Sequence, residues 1–257
     1  MTKKLAHFRF YEELNDFLVV EKRKTTIQYE FNGAPSIKDV IEAIGVPHPA
    51  VDLILVNGLS IGFDYQLRAG DRVAVYPVFE TLDISPIVRV RPQPLRDPRF
   101  ILDVHLGKLA RRLRLLGFDT LYQNDYHDSE IVQIALRERR IILTRDRGIL
   151  KRKEVIHGYW LRANCPDEQI SEVLHRFHLF ALIKPFQRCL VCNGLIEGVE
   201  KSAVNLRLPT GVAREYDEFF ECGSCGRVYW RGSHFDRLNA IVKKLANLAH
   251  HEDGKSE

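Results

Sequence analysis

The sequence predicts three structural parts: an N-terminal α+β domain of β-grasp type, an α/β domain in which helices cover a parallel sheet as a three-layer body, and a C-terminal four-cysteine ribbon. Three observations predict them. Short strand-like runs surround one helical pattern before a proline-rich break, strands and helices alternate after it, and two Cys-x-x-Cys pairs follow the last alternating unit. The parts read as 1–84, a linker at 85–98, an α/β domain at 99–184, a ribbon at 185–233, and a helix with its tail at 234–257.

In the first part, HFRFY, TTIQYEF, DLILVNG and DRVAVYPV are strand-like, and SIKDVIEAIG after the second is helical. Two opening strands, a helix and two or more closing strands give the β-grasp order. The stretch VNGLSIGFDYQLRAGDRVAVYPV resembles the C-terminal half of the ubiquitin-like sulfur-carrier proteins. Those carriers end in a Gly-Gly tail whose carboxylate is activated. This chain continues past Pro77 as VFETLD, so the domain reads as a binding or structural module that can recruit a protein partner.

Pro86, Pro92, Pro94 and Pro98 mark the break, because each lacks an N–H and fixes φ. Beyond it come FILD, VHLGKLARRLRLLG, DTLY, DSEIVQIALRER, RIILT, RGILKR and VIHGYWLR. In the first helix, Leu106, Leu109, Ala110, Leu113 and Leu116 keep helical spacing and form the expected buried stripe. Lys108, Arg111, Arg112 and Arg114 are left for other faces, and Gly117 is placed to stop the helix. A further helix is expected at 167–180, and an amphipathic one at 234–251 that docks back on the body.

Cys189 and Cys192 in CLVCNG, with Cys222 and Cys225 in CGSCGR, form two knuckles whose four thiolates suit a structural Zn²⁺. A redox dithiol or a disulfide is the alternative. The segment 193–221 between the pairs contains strand-like VNLRLP and acidic REYDEFFE, and is expected to form an extended hairpin. Cys165 stands apart as a buried or idle thiol.

In an open α/β sheet, ligands collect beyond the carboxyl ends of the strands. Asp103 ends FILD, Asp146 lies just beyond RIILT, and Asp125 and Asp128 precede the helix after DTLY, with Glu130 in reserve and His127 beside them. Each acid taken singly serves as a helix cap. Three at one edge concentrate negative charge that a cation would neutralise, and oxygen-only donors favour Mg²⁺ or Mn²⁺. Such ions suit phosphodiester hydrolysis, with neighbouring basic residues holding the polyanion.

FILDVHLGKLARRLRLLGFDTLY followed by DSEIVQIALRERRIILTRDRGILKR resembles the Mut-seven C-terminal ribonuclease family, a branch of the PIN-like metal-dependent nucleases. The resemblance takes in the cysteine segment, and an N-terminal ubiquitin-like domain is a companion in bacterial members. It implies that Asp103, Asp128 and Asp146 hold the catalytic ion, and that Arg112, Arg114 and Arg147 bind phosphates of RNA. For the fourth acid common among PIN nucleases, the chain offers Asp167 or Glu168.

A net charge of +4 and a pI near 8.8 permit contact with nucleic acid without identifying it. Basic residues gather at 89–99, 107–114 and 137–153. The opening MTKKLAHFRF lacks an apolar signal core, and no apolar run is long enough to span a membrane, so a cytoplasmic location with reduced cysteines is expected. The rival to a ribonuclease is a non-catalytic RNA- or ribosome-binding adaptor, in which ribbon and basic helix bind RNA and the acids are caps.

Overall fold

Alternation decides the first sheet. In the computed structural model, which describes residues 3–77 and 98–248, β1 (Lys4–Phe10) buries Ala6, Phe8 and Phe10 on one face. With β2 (Ile27–Phe31), β3 (Leu53–Val56), β4 (Leu59–Ser60) and β5 (Arg72–Tyr76) it forms a sheet of order β2-β1-β5-β3-β4. β1 and β5 are parallel and their other pairings antiparallel, which is the expected β-grasp arrangement. Helix α1 (Ile37–Ile44) starts at Ser36, whose Oγ accepts from the Asp39 amide, and ends at Gly45 with φ 127°. Its Ile37, Val40 and Ile41 join Phe8, Phe10 and Ile54 in one core.

The described residues fall into two units, 3–77 with 144–160 and 98–143 with 161–248. The α/β stretch is therefore divided, although one domain is expected over 99–184. The boundary expected at 84/85, and residues 85–97 of the linker, lie outside the described residues.

In the second unit, β6 (Phe100–Leu102), β7 (Thr120–Leu121) and β8 (Ile141–Thr144) run parallel in the order β7-β6-β8. β6 and β8 are buried throughout, as parallel strands covered on both faces must be. Between them, α2 (Gly107–Leu115) buries the whole expected stripe from Leu106 to Leu116. Its stop is a Schellman motif: the Gly117 amide donates to Arg114 O and the Phe118 amide to Leu113 O. Gly117 has φ +95°, and an added Cβ would collide with Lys184 O, so glycine is required twice over. α3 (Asp128–Glu138) packs against β6, and α5 (Pro166–Arg176) against α2.

The first unit takes up α4 (Arg147–Leu150) and β9 (Gly158–Trp160). There Trp160 lies 5.0 Å from the Phe17 ring, and His48 Nε2 lies 2.5 Å from Val155 O.

The ribbon is an antiparallel sheet of β10 (Ile196–Val199), β11 (Phe219–Cys222) and β12 (Val228–Trp230). The hairpin expected between the cysteine pairs forms at its base, where β10 and β11 pair antiparallel, and its extended continuation is corrected. After β10 the chain forms α6 (Lys201–Val204), a 3-10 turn and α7 (Thr210–Glu215). The alternation of VNLRLP is misleading, because Val204 alone is buried and Leu206 is 100% exposed. α8 (Ser233–Ala246) closes the described chain and docks as expected, with Lys244 Nζ 3.6 Å from Asp167 Oδ2 on α5. Among the described residues no helix is long and apolar enough to cross a membrane.

Candidate metal centre and catalytic edge

The two knuckles are built alike. The amide of Cys189 donates to Gly194 O and the Asn193 amide returns a bond to Cys189 O; Cys222, Arg227 and Gly226 repeat the pattern. Each loop turns on a left-handed residue, Asn193 at φ 73° and Gly226 at φ 69°. Gly194 is needed for another reason, since a Cβ there would lie 2.8 Å from Cys222 Sγ.

All four Sγ atoms fall within 4.8 Å of one another, with 3.7 Å between Cys189 and Cys225 and 3.4 Å between Cys192 and Cys222. Four bonds of about 2.3 Å in a tetrahedron place sulfurs roughly 3.8 Å apart, so the set fits a thiolate metal site. A disulfide needs about 2.05 Å. Burial opposes ionisation of Cys189, but the Tyr229 hydroxyl, 3.0 Å away, and the Cys192 and Val191 amides outweigh it and bring the thiol down to about 6. Burial and the neighbouring thiols push Cys192 up to about 12. A bound cation would remove that conflict by stabilising every thiolate at once.

The first knuckle is tied to the α/β sheet. Asp119 Oδ1 accepts from Arg140 Nη1 at 2.6 Å and from Asn193 Nδ2 at 2.8 Å, and Asn193 Oδ1 accepts from the Thr120 amide. Burial raises the Asp119 pKa, yet these bonds and the charges of Arg140 and Arg188 hold it below its ordinary 3.8.

At the strand ends, Leu102 of β6 pairs with Leu143 of β8, so the chain leaves both strands at the same end of the sheet. Asp103 follows at once. It is 8% exposed, its amide donates to Leu143 O, and its carboxylate accepts from the Val104 amide at 2.6 Å. Tyr122 braces that turn, donating to Val104 O and lying where a Cβ on Gly107 would be. Asp146 is exposed and caps α4 through the Gly148 amide at 2.7 Å. Asp128 is the exposed first residue of α3, after the chain leaves β7. Glu130 is engaged in a capping box with His127.

Among the described residues, the cysteines form the one group of three or more His, Cys, Asp or Glu with ligand atoms that close together; the three aspartates do not.

The arginines expected to meet phosphate have partners inside the protein. Arg114 is 3% exposed and donates to the carbonyls of Thr120, Leu190 and Val191, with Tyr122 O at 3.5 Å. A buried guanidinium facing four carbonyls has its donors turned inward, toward the protein. Arg147 donates to Phe17 O and Asp16 O and stacks 4.0 Å over Trp160, so its fork faces the β-grasp domain. Arg112 pairs with Asp167, one of the two residues offered as a fourth acid beside Glu168, and that contact holds Asp167 below its ordinary range.

Asp119, Asn193, Tyr229 and Trp160 were not singled out for these roles from sequence. An Asn directly after a Cys-x-x-Cys loop is a usable signal, since that position needs positive φ; the others carry none.

The fold and the site together define a two-unit α/β protein with a four-cysteine cluster able to hold a metal ion and acids following parallel strands. The family model described as Mut7-C RNAse domain matches residues 98–242, more than half of the chain, and the chain belongs to that nuclease-like family. The model described as Mut7-C ubiquitin matches residues 3–83. No curated protein and no solved structure matches the chain.

Proposed function

We propose that the protein is a ribonuclease that hydrolyses RNA phosphodiester bonds with Mg²⁺ or Mn²⁺ held by Asp103, Asp128 and Asp146, and that Zn²⁺ occupies the four-cysteine centre as a structural ion. The observation that carries the reading is the parallel pairing of β6 and β8, with an acid immediately after one strand and two residues after the other. Membership of an RNAse-domain family supports it. A hard cation bound by one or two carboxylates keeps several waters, so the donors suit Mg²⁺ or Mn²⁺ without closing on one another as the thiolates do.

Such an ion supplies Lewis-acid polarisation of the phosphate and acidifies water. Asp103 offers a carboxylate oriented by the Val104 amide, which donates to its Oδ1 at 2.6 Å. Asp146 is likewise oriented by the Gly148 amide. Reduced thiols in a metal centre fit a cytoplasmic location, and the ubiquitin-like domain is read as the module that recruits a protein partner.

A specific observation favours a second reading. Arg112, Arg114 and Arg147 all have protein partners, as a non-catalytic RNA-binding adaptor would allow. Mn²⁺-dependent cleavage of labelled RNA separates the two. We expect wild type to cut, and Asp103→Asn and Asp146→Asn to lose at least about a hundredfold in rate while melting within a few degrees of wild type, since Asn caps helices nearly as well as Asp. If both variants cut like wild type, the site is elsewhere; if nothing cuts, the adaptor reading stands.

A further inference from the structure

The ribbon carries a groove of about 750 Å³ that the strand-end acids do not use. Its floor crosses the three-stranded sheet: Gly198, Phe220 and Tyr229 lie directly opposite one another on β10, β11 and β12 and therefore share a face. Phe219, on the other face, is 2% exposed and serves as core, whereas Phe220, Tyr229 and Trp230 are only half-buried. Opposite stand Phe186 and Phe235, with ring centres 4.6 Å apart. These rings line open space rather than fill a core, and Gly198 keeps it open: a Cβ there would meet nothing within 4 Å.

The rim is basic. Arg111 on α2, Arg227 and Arg231 are exposed and line the groove. Arg231 lies 5.9 Å from the Phe220 ring centre and 6.0 Å from that of Phe235, and its ion pair with Glu218 is exposed on both sides, hence weak and exchangeable. Among the residues lining the groove, the acidic one is Glu215. Half-exposed aromatic faces beneath guanidinium groups match the chemistry of single-stranded RNA, whose bases stack and whose phosphates pair with Arg.

We propose that the Gly198–Phe220–Tyr229 groove of the ribbon is a stacking site for single-stranded RNA, separate from the acids that cut it. The proposal rests on the reading that the protein binds RNA but not on cleavage. Arg111, at the groove, lies on the helix that follows Asp103.

The test is fluorescence anisotropy of the full-length protein with end-labelled oligouridylate and oligoadenylate, without added Mg²⁺ or Mn²⁺. Gly198→Leu fills the groove at a position of ordinary backbone conformation and open space, so it should fold as wild type with an unchanged melting temperature. It should weaken RNA about tenfold, as should Phe220→Ala, in line with losing one stacked base. Arg231→Glu should weaken binding and flatten its salt dependence.

Equal affinity in wild type, Gly198→Leu and Phe220→Ala overturns the proposal, as does absence of RNA binding by wild type. If Gly198→Leu instead releases a labelled polyglutamate peptide while RNA affinity is unchanged, the groove takes acidic protein segments and the proposal is again overturned. Cleavage lost in Asp103→Asn with groove variants binding normally rejects the groove alone. Groove variants that bind weakly, in a protein that never cuts, reject the ribonuclease reading alone.

Discussion

Arg114 lies in the run GKLARRLR, where a charged side chain is ordinarily solvated or set against an anion, yet it is 3% exposed and faces backbone carbonyls of β7 and the first knuckle. Removing it would leave those acceptors buried and unpaired. Arg114→Ala should therefore cost roughly 3 kcal/mol of stability in urea unfolding, from unmet carbonyls at about 1–3 kcal/mol each. If stability were kept and RNA affinity lost, Arg114 would be a phosphate ligand after all. Asp119 makes the complementary prediction in pH. Its folded pKa is depressed below 3.8, so the stability it contributes is present above about pH 4 and disappears as pH falls through the lower folded value. Melting temperature should drop on acidification below pH 4 in wild type, and less steeply in Asp119→Asn.

Among the elements, the segment from α4 to β9 has the most to say about function, because Asp146 caps its first helix and the β-grasp domain holds the rest. Among the contacts that do this are Arg147 on the carbonyls of Asp16 and Phe17, Trp160 against Phe17, Lys38 Nζ on Lys153 O at 3.4 Å, and His48 bridging Glu42 Oε1 and Val155 O at 2.5 Å each. Lys151, Arg152 and Lys153 in the segment are exposed. Replacing His48 by Ala removes two buried polar contacts, worth about 1–3 kcal/mol together. Trypsin should then cut at Lys151–Lys153 several times faster than in wild type, with the ribbon still intact at that time. Unchanged cleavage would mean that the segment is held by other contacts. In this unit the ubiquitin-like domain acts as a scaffold for a neighbouring segment of its own chain.

Across the whole molecule, the strand and helix order was legible because it rests on period. The alternation of Ala6, Phe8 and Phe10, the helical stripe from Leu106 to Leu116 and the continuous apolar runs of β6 and β8 each satisfy local rules that burial then rewards. The cysteine centre was legible because spacing within each knuckle is a local property, and pairing the two knuckles needed only that four thiolates meet. Within 193–221 the antiparallel pair β10–β11 forms as expected, whereas the alternating VNLRLP turns helical because too little body lies beside it to bury a strand face.

By itself the sequence determined the order of strands and helices, the four-cysteine set, and which acids follow strand ends, because propensity, period and spacing act over a few residues. Only the tertiary structure decided what the charged side chains do. Arg112, Arg114 and Arg147 are chemically as fit for phosphate as for carbonyl or carboxylate. Their partners, from Asp16 and Phe17 to Asp167 and Val191, lie tens of residues away in the chain and become neighbours only on folding. The mix of charge and aromatic rings at Arg227, Tyr229, Trp230 and Arg231 is legible in sequence, but the shared face of Gly198, Phe220 and Tyr229 exists only when three strands are placed in register.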